Sequence, residues 1–221
     1  MAEHQYRNRA GERLPSVTTI ISRFKDSGPL LYWANKVGME GMTLDQARKP
    51  AADAGTMAHD LVEAHIHKLA EPVLEGPRET IDKARAAYEA YLNWSRMTNL
   101  EVLYTEVPLV SEKHQYGGRL DGVGMVRAMT GEKLALCDWK SSNALYADYL
   151  YQLAAYQILW EENYGQDPNQ MITGGFHLCR FAKEEGDFSH NYFPDLVHER
   201  STFLGMRKLY DMVKKTEKRV R

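Results

Sequence analysis

Up to residue 97 apolar positions recur at helical spacing, and beyond residue 100 they shift to strand-like runs. Pro15-Ser16-Val17-Thr18 sets hydroxyl caps at the head of Val17–Phe24, a predicted first helix. A short helix follows Pro29 over Leu30–Lys36. A long one is expected from about Thr43 to Leu69, with Pro50 the place where it would break. Glu71-Pro72 to Pro77 reads as a linker, and 79–97 is helical by composition. The period then changes. Glu101–Val110 is a predicted strand, and Pro108 marks it as an edge or a bulge. A turn at Ser111–Gln115 leads to a second strand over 116–127, and a turn at 128–132 leads to a third over Leu134–Lys140. Residues 146–164 return to helix, stopping before Gly165–Pro168. Met171–Phe181 is a fourth strand, Glu184–Asp187 a turn, and Phe188–Phe193 pairs back ahead of a terminal helix from about Asp195. Hairpin-linked strands followed by a crossover helix imply an α/β fold, a mixed central sheet flanked by helices.

Within this pattern the strand Leu134–Lys140 is anomalous. Residues i and i+2 of a strand share a face, so Asp138 and Lys140 point one way and Trp139 the other. A core strand that ends in two facing opposite charges is hard to justify by packing. Asp121, in Gly118-Arg119-Leu120-Asp121-Gly122, could cap a bend; antiparallel pairing would instead bring it beside Asp138. Two carboxylates that close repel unless a cation or proton intervenes. An oxygen-rich site with few protein ligands suits Mg²⁺ or Mn²⁺, and the Trp139 carbonyl could add an oxygen. Lys140 could simply pair with Asp138 or snorkel to the surface. Beside a metal it could orient the attacking water or neutralise charge on a phosphorane.

Other candidates surround these. His59 and Glu63 share a helix face, so His59 could ligate the ion while Glu63 supports or assists it. Gln152 and Tyr156 also share a face, either as ordinary helix surface or as contacts to a phosphate and to Lys140. Glu106, on the strand before Asp121, is a second-tier candidate.

Composition changes the picture little. The chain has 221 residues, 43% hydrophobic and 26% charged, suited to one domain with a sizeable core. Residues 1–50 would form an N-terminal helical elaboration, 51–182 the core, and 183–221 a hairpin and basic helix. No apolar run suggests a membrane span, and the polar start has no secretory apolar stretch. Cys137 and Cys179 read as buried small hydrophobes in a reducing, cytoplasmic setting. The net charge of −2 does not announce a nucleic-acid binder, but residues 207–221 carry seven Lys/Arg against Asp211 and Glu217. That tail is either a solvated helix end or a contact for a polyanion, with Lys214, Lys215 and the more distant Arg119 as candidate phosphate contacts.

Asp121, Asp138-Trp139-Lys140 and Gln152-x-x-x-Tyr156, preceded by Gly55-x-x-x-His59-x-x-x-Glu63, resemble the PD-(D/E)xK nuclease superfamily. More narrowly they resemble its RecB-like branch, which includes phage exonucleases and the mitochondrial genome maintenance exonuclease. The resemblance covers roughly residues 50–182, through short motifs whose order and spacing are specific together. It implies an αβββαβ restriction-endonuclease-like core. His59, Asp121 and Asp138 would be metal ligands, Lys140 the catalytic lysine, and Gln152 and Tyr156 a DNA-contacting motif. Related CRISPR-associated nucleases hold an iron–sulfur cluster on four cysteines, a set that two cysteines cannot supply, so no cluster is expected.

The function implied is a Mg²⁺- or Mn²⁺-dependent DNA exonuclease in recombination, repair or end processing, in a bacterial or phage-infected cell. Its substrate would be DNA with free ends, with a recombination or replication protein as a candidate partner. The alternatives are a structure-specific endonuclease and a non-catalytic DNA-binding scaffold on a retired nuclease fold. Retirement should have removed an acid or the lysine, and Asp121, Asp138 and Lys140 are all present.

Overall fold

The computed structural model describes residues 5–220 apart from 99, 129–130, 143 and 182–187. The expected turn at Glu184–Asp187 and part of that at 128–132 lie outside the described residues. Two short strands, β1 (Tyr6–Arg7) and β2 (Arg13–Leu14), precede helices α1 (Val17–Ser22), α2 (Gly28–Met39), α3 (Leu44–Ile66) and α4 (Arg78–Thr98). Then follow β3 (Leu100–Ser111), β4 (Tyr116–Ala128), β5 (Gly131–Ser141), α5 (Ala147–Tyr164), β6 (Phe176–Phe181), β7 (Phe188–Phe193) and α6 (Val197–Glu217).

Local chemistry fixes the helix starts. The Ser16 hydroxyl accepts from Thr19 N–H at the head of α1, and Thr43 and Gln46 form a reciprocal capping box on α3. With its first turn so held, α3 runs through Pro50 without the expected break, since proline removes one donor in an otherwise complete helix.

The five-stranded sheet has the order β3-β4-β5-β6-β7. Only β5 and β6 are parallel, joined by the α5 crossover; the other neighbours are antiparallel. This is the mixed sheet that the hydrophobic pattern implies. Pro108 lies on β3, an edge strand, where the missing N–H costs no central ladder bond. β6 begins at Phe176 rather than Met171. The Thr173 and Gly174 N–H groups both donate to the Leu134 carbonyl, and Gly175 takes a positive φ of 76°, so the chain bends before it extends.

Alternation along the strands divides the core. Leu134 and Leu136 pack with α1, α5 and α6 through Ile20, Leu153, Leu159 and Phe203. Cys137, Trp139 and Cys179 face the other way, into Val62, Tyr91 and Trp94 of α3 and α4. Asp138 and Lys140 therefore belong to the α5 face. Both cysteines are free and buried, and burial pushes their thiols up, so they pack as neutral groups.

Candidate active site

The site lies where the sheet forks. Pairing between β4 and β5 runs from Ala128↔Gly131 to Gly122↔Cys137 and goes no further. Beyond that point β4 stays with β3, from Leu120↔Val107 onward, while Asp138–Ser141 of β5 stay with β6. Asp121 and Asp138 are the first residues past the split.

At the fork, the Trp139 N–H donates to Asp121 Oδ2 at 3.1 Å. Lys140 Nζ donates to Asp138 Oδ1 at 2.8 Å, lies 2.7 Å from Oδ2, and is 3.7 Å from Asp121 Oδ2. Asp138 is fully buried, and its Oδ2 has ionic contact with Lys140 but no donor aligned for a hydrogen bond. The Lys140 and Asp121 side chains are only 16% and 15% exposed. Burial and then the Asp121 charge push the Asp138 carboxyl well up, with Lys140 opposing. Burial disfavours the Lys140 ammonium, yet Asp138 and Asp121 together outweigh it and raise its pKa. Lys140 stays charged.

Two glycines permit this arrangement. A Cβ on Gly122 would fall 2.3 Å from Trp139 Cη2, so the indole packs directly on the β4 backbone. A Cβ on Gly118 would meet Tyr156 Cε1 at 2.8 Å. Tyr156 is buried, and its hydroxyl accepts from Gln152 Nε2 at 2.7 Å. The expected pair thus stands together in the wall behind Lys140, bonded to each other.

On the α3 side an open cleft is lined by His59, Val62, Glu63, Ile66, Thr105, Glu106, Asp121 and Trp139. Glu106, the second-tier candidate, joins the cleft. Thr105 pairs with Gly122 and Val107 with Leu120, so Glu106 stands opposite Asp121. It alone among the described non-glycine strand residues has positive φ, 51°. That backbone is strained, by about 1–2 kcal/mol for a residue with a Cβ, and such outliers concentrate at functional sites. The Glu106 carboxylate meets Arg119 Nε at 2.8 Å. Burial, then the Asp121 charge, raise its pKa, and Arg119 opposes them. Nothing in the local sequence announces this geometry.

Most of the expected site residues converge: His59, Glu63, Asp121 and Trp139 on the cleft, Asp138 and Lys140 just behind, Gln152 and Tyr156 next to them. The Trp139 N–H holds Asp121, a contact the sequence does not announce. Two expectations change. Arg119 is held by Glu106, so its charge is already paired. The ligand trio of His59, Asp121 and Asp138 is not assembled: among the described residues no three His, Cys, Asp or Glu side chains group closely enough to hold one ion. Asp138 turns to Lys140 on the α5 face, while His59 approaches from α3, leaving Asp121 between them. The donors still fit a hard cation, being two carboxylates with one buried oxygen short of a donor and an imidazole across the cleft.

The basic terminal helix stands apart. None of its residues lines the cleft. Arg207 is buried; its Nε donates to the His114 carbonyl at 3.0 Å and its Nη2 to the Gln115 carbonyl at 2.8 Å, clamping the β3–β4 turn. Lys214 lies 3.5 Å from Glu217, and Lys215 is exposed. No helix among the described residues is long and apolar enough to cross a membrane.

No model of a known protein family matches the chain, and no curated protein matches its sequence. Among solved structures it is similar to a candidate exonuclease from Eubacterium rectale, at 14% identity and a TM-score of 0.45. That match covers 71% of this chain and 64% of the other, so the chain spans less than two thirds of that neighbour's length. SSO0001 is similar at 14% identity and a TM-score of 0.33, with 74% of each chain covered. LHK-Exo, solved with dAMP, is similar at 13% identity and a TM-score of 0.28, over 78% of this chain and 92% of that one. These likenesses are loose, and the reading of the site stands on its own residues.

Proposed function

We propose that this protein is a metal-dependent deoxyribonuclease that degrades linear DNA from its ends, with the fork between β4 and β5 as its active centre. The observation that carries the reading is the meeting of Asp121, Asp138 and Lys140 at one split in the sheet, opening on a cleft that holds His59 and Glu63. The same residues carry the resemblance to RecB-like nucleases, on which the preference for exonuclease over endonuclease rests.

Asp121 and Asp138 would hold Mg²⁺ or Mn²⁺, with solvent or phosphate oxygens completing the shell; His59, on α3 across the cleft, would join only on drawing nearer. Such an ion, when bound, lowers the pKa of a coordinated water and polarises a phosphoryl oxygen. The protein's own groups do the rest. Lys140 remains an ammonium fixed by two carboxylates, placed to hydrogen-bond a water or to meet charge developing on the phosphate. The Gln152–Tyr156 bond and the Gly118 contact hold the wall beside it rigid, which keeps Lys140 from swinging away. Glu63, Glu106 and Asp121 make the cleft acidic, so a phosphodiester is repelled until cationic charge enters. DNA binding, and not only cleavage, should therefore strengthen with divalent ions.

The test is incubation of the protein with end-labelled linear DNA and with closed circular DNA, in Mg²⁺, in Mn²⁺ and in EDTA. The reading predicts loss of the linear form alone, and only with metal. Cutting of the circle would replace it with the endonuclease reading. DNA binding without cleavage in either metal would contradict it in favour of a scaffold.

A further inference from the structure

Lys140 is bordered on the α5 side by aromatic rings that the hydrolytic reading leaves without a task. Its Nζ lies 5.7 Å from the centre of the Tyr149 ring. Tyr146 stands edge-on to Tyr149, with centroids 5.6 Å apart and planes at 83°. Tyr146 is 48% exposed, and the neighbouring Leu145 is 41% exposed. Over the Tyr146 ring, at 5.6 Å, sits the Lys25 ammonium, itself 2.9 Å from Asp148. Aromatic surface therefore runs outward from Lys140 and ends beside a second cation. A large exposed ring gains little from solvent, and no side-chain capping bond explains Tyr146, whose carbonyl accepts from the Tyr149 N–H while its hydroxyl makes no bond to α5.

We infer that Tyr146 and Tyr149 form a stacking platform for the nucleobase next to the scissile phosphate, with Lys25 meeting the adjoining backbone. The inference rests on the nuclease reading and deepens it by naming the substrate form. A base inside a strand has both faces covered by its neighbours. One next to the scissile phosphate therefore lies on a ring only when unstacked, which favours a single strand, either supplied so or frayed from a duplex end. Stacking is tolerant of sequence because every base has a π-face, which suits an enzyme that removes nucleotides in succession. Lys140 lies against the Tyr149 ring and Lys25, paired with Asp148, over the Tyr146 ring, so a cation borders each end of the platform. Tyr146 is here a substrate-positioning residue, and Tyr149 couples it to Lys140.

The experiment measures steady-state cleavage of a single-stranded oligonucleotide and of the same strand with one abasic nucleotide at the end being removed. It compares wild type, Tyr146→Ala, Tyr146→Phe and Lys140→Ala, all checked for folding by circular dichroism. Wild type should disfavour the abasic end, by about tenfold to a hundredfold in KM, the weight of one base on an aromatic ring. Tyr146→Ala should raise KM for the normal strand by about as much and abolish the discrimination, while Tyr146→Phe retains it. If Tyr146→Ala cleaves and discriminates like wild type, the platform is wrong and the nuclease reading survives. If wild type cleaves nothing, or Lys140→Ala cleaves as well as wild type, the nuclease reading fails and the platform fails with it.

Discussion

At the scale of the residue, the site depends on small side chains as much as on charged ones. Gly122 lets the Trp139 indole lie on the β4 backbone, and the Trp139 N–H in turn holds Asp121. Gly122→Ala should therefore cost about 1–3 kcal/mol, the usual penalty for overfilling a packed core. It should also slow cleavage more than that loss of stability explains, because the displaced strand carries Asp121. Urea unfolding beside a single-turnover rate checks both, and an unchanged rate would separate the indole from the chemistry. The sequence shows Asp121, Asp138 and Lys140 clearly because charges at the end of an apolar strand have few packing explanations. It shows His59 and Glu63 by helical spacing. It offers Glu106 only as a neighbour of the Asp121 strand, and the left-handed backbone there leaves no local signature. Tyr146 and Tyr149 are equally silent, since exposed tyrosines near a helix start are common.

At the scale of the element, β7 is tied to β6 by a histidine pair as well as by the ladder. His177 Nδ1 and His190 Nε2 are 2.9 Å apart, with rings stacked at 6° between planes and Trp94 5.2 Å from His190. Burial, then the neighbouring His177, push the His190 pKa down to about 4. The unfolded chain takes up that proton first, near the ordinary value of 6.5. The stabilisation from a neutral His190 is thus complete above pH 6.5 and is lost as pH falls towards 4. His190→Gln should flatten the decline between these limits in urea unfolding, and an equally steep decline would assign it to other groups. The order of elements was legible because hydrophobic period separates helix from strand. The boundaries were not. β6 starts late because Thr173 and Gly174 are drawn to the Leu134 carbonyl, a tertiary contact no window of sequence reveals. β1 and β2 are held by contacts far along the chain: Tyr6 packs onto Gly117, where a Cβ would lie 2.2 Å from the ring, and Asn8 donates to Gln115.

At the scale of the whole molecule, charge and chemistry sit in different places. The net charge is −2, the cleft is acidic, and the basic tail of the sequence folds into a helix whose Arg207 serves as a clamp rather than as a free cation. On the proposed reading, attraction for DNA would be local to the fork, where Lys140 and the Asp148-paired Lys25 border the aromatic surface, and should depend on divalent ions more than on the terminal helix. The central claim is that Asp121, Asp138 and Lys140 act as one hydrolytic centre. Its most direct test is the single-turnover rate on end-labelled linear DNA in Mg²⁺ or Mn²⁺ for Asp121→Asn, Asp138→Asn and Lys140→Ala, each purified free of host nuclease and verified as folded. Residues that act as a unit are not additive, so each variant alone should lose about a thousandfold or more, and the double variants little beyond that. Folded single variants that cleave at close to the wild-type rate would contradict the account.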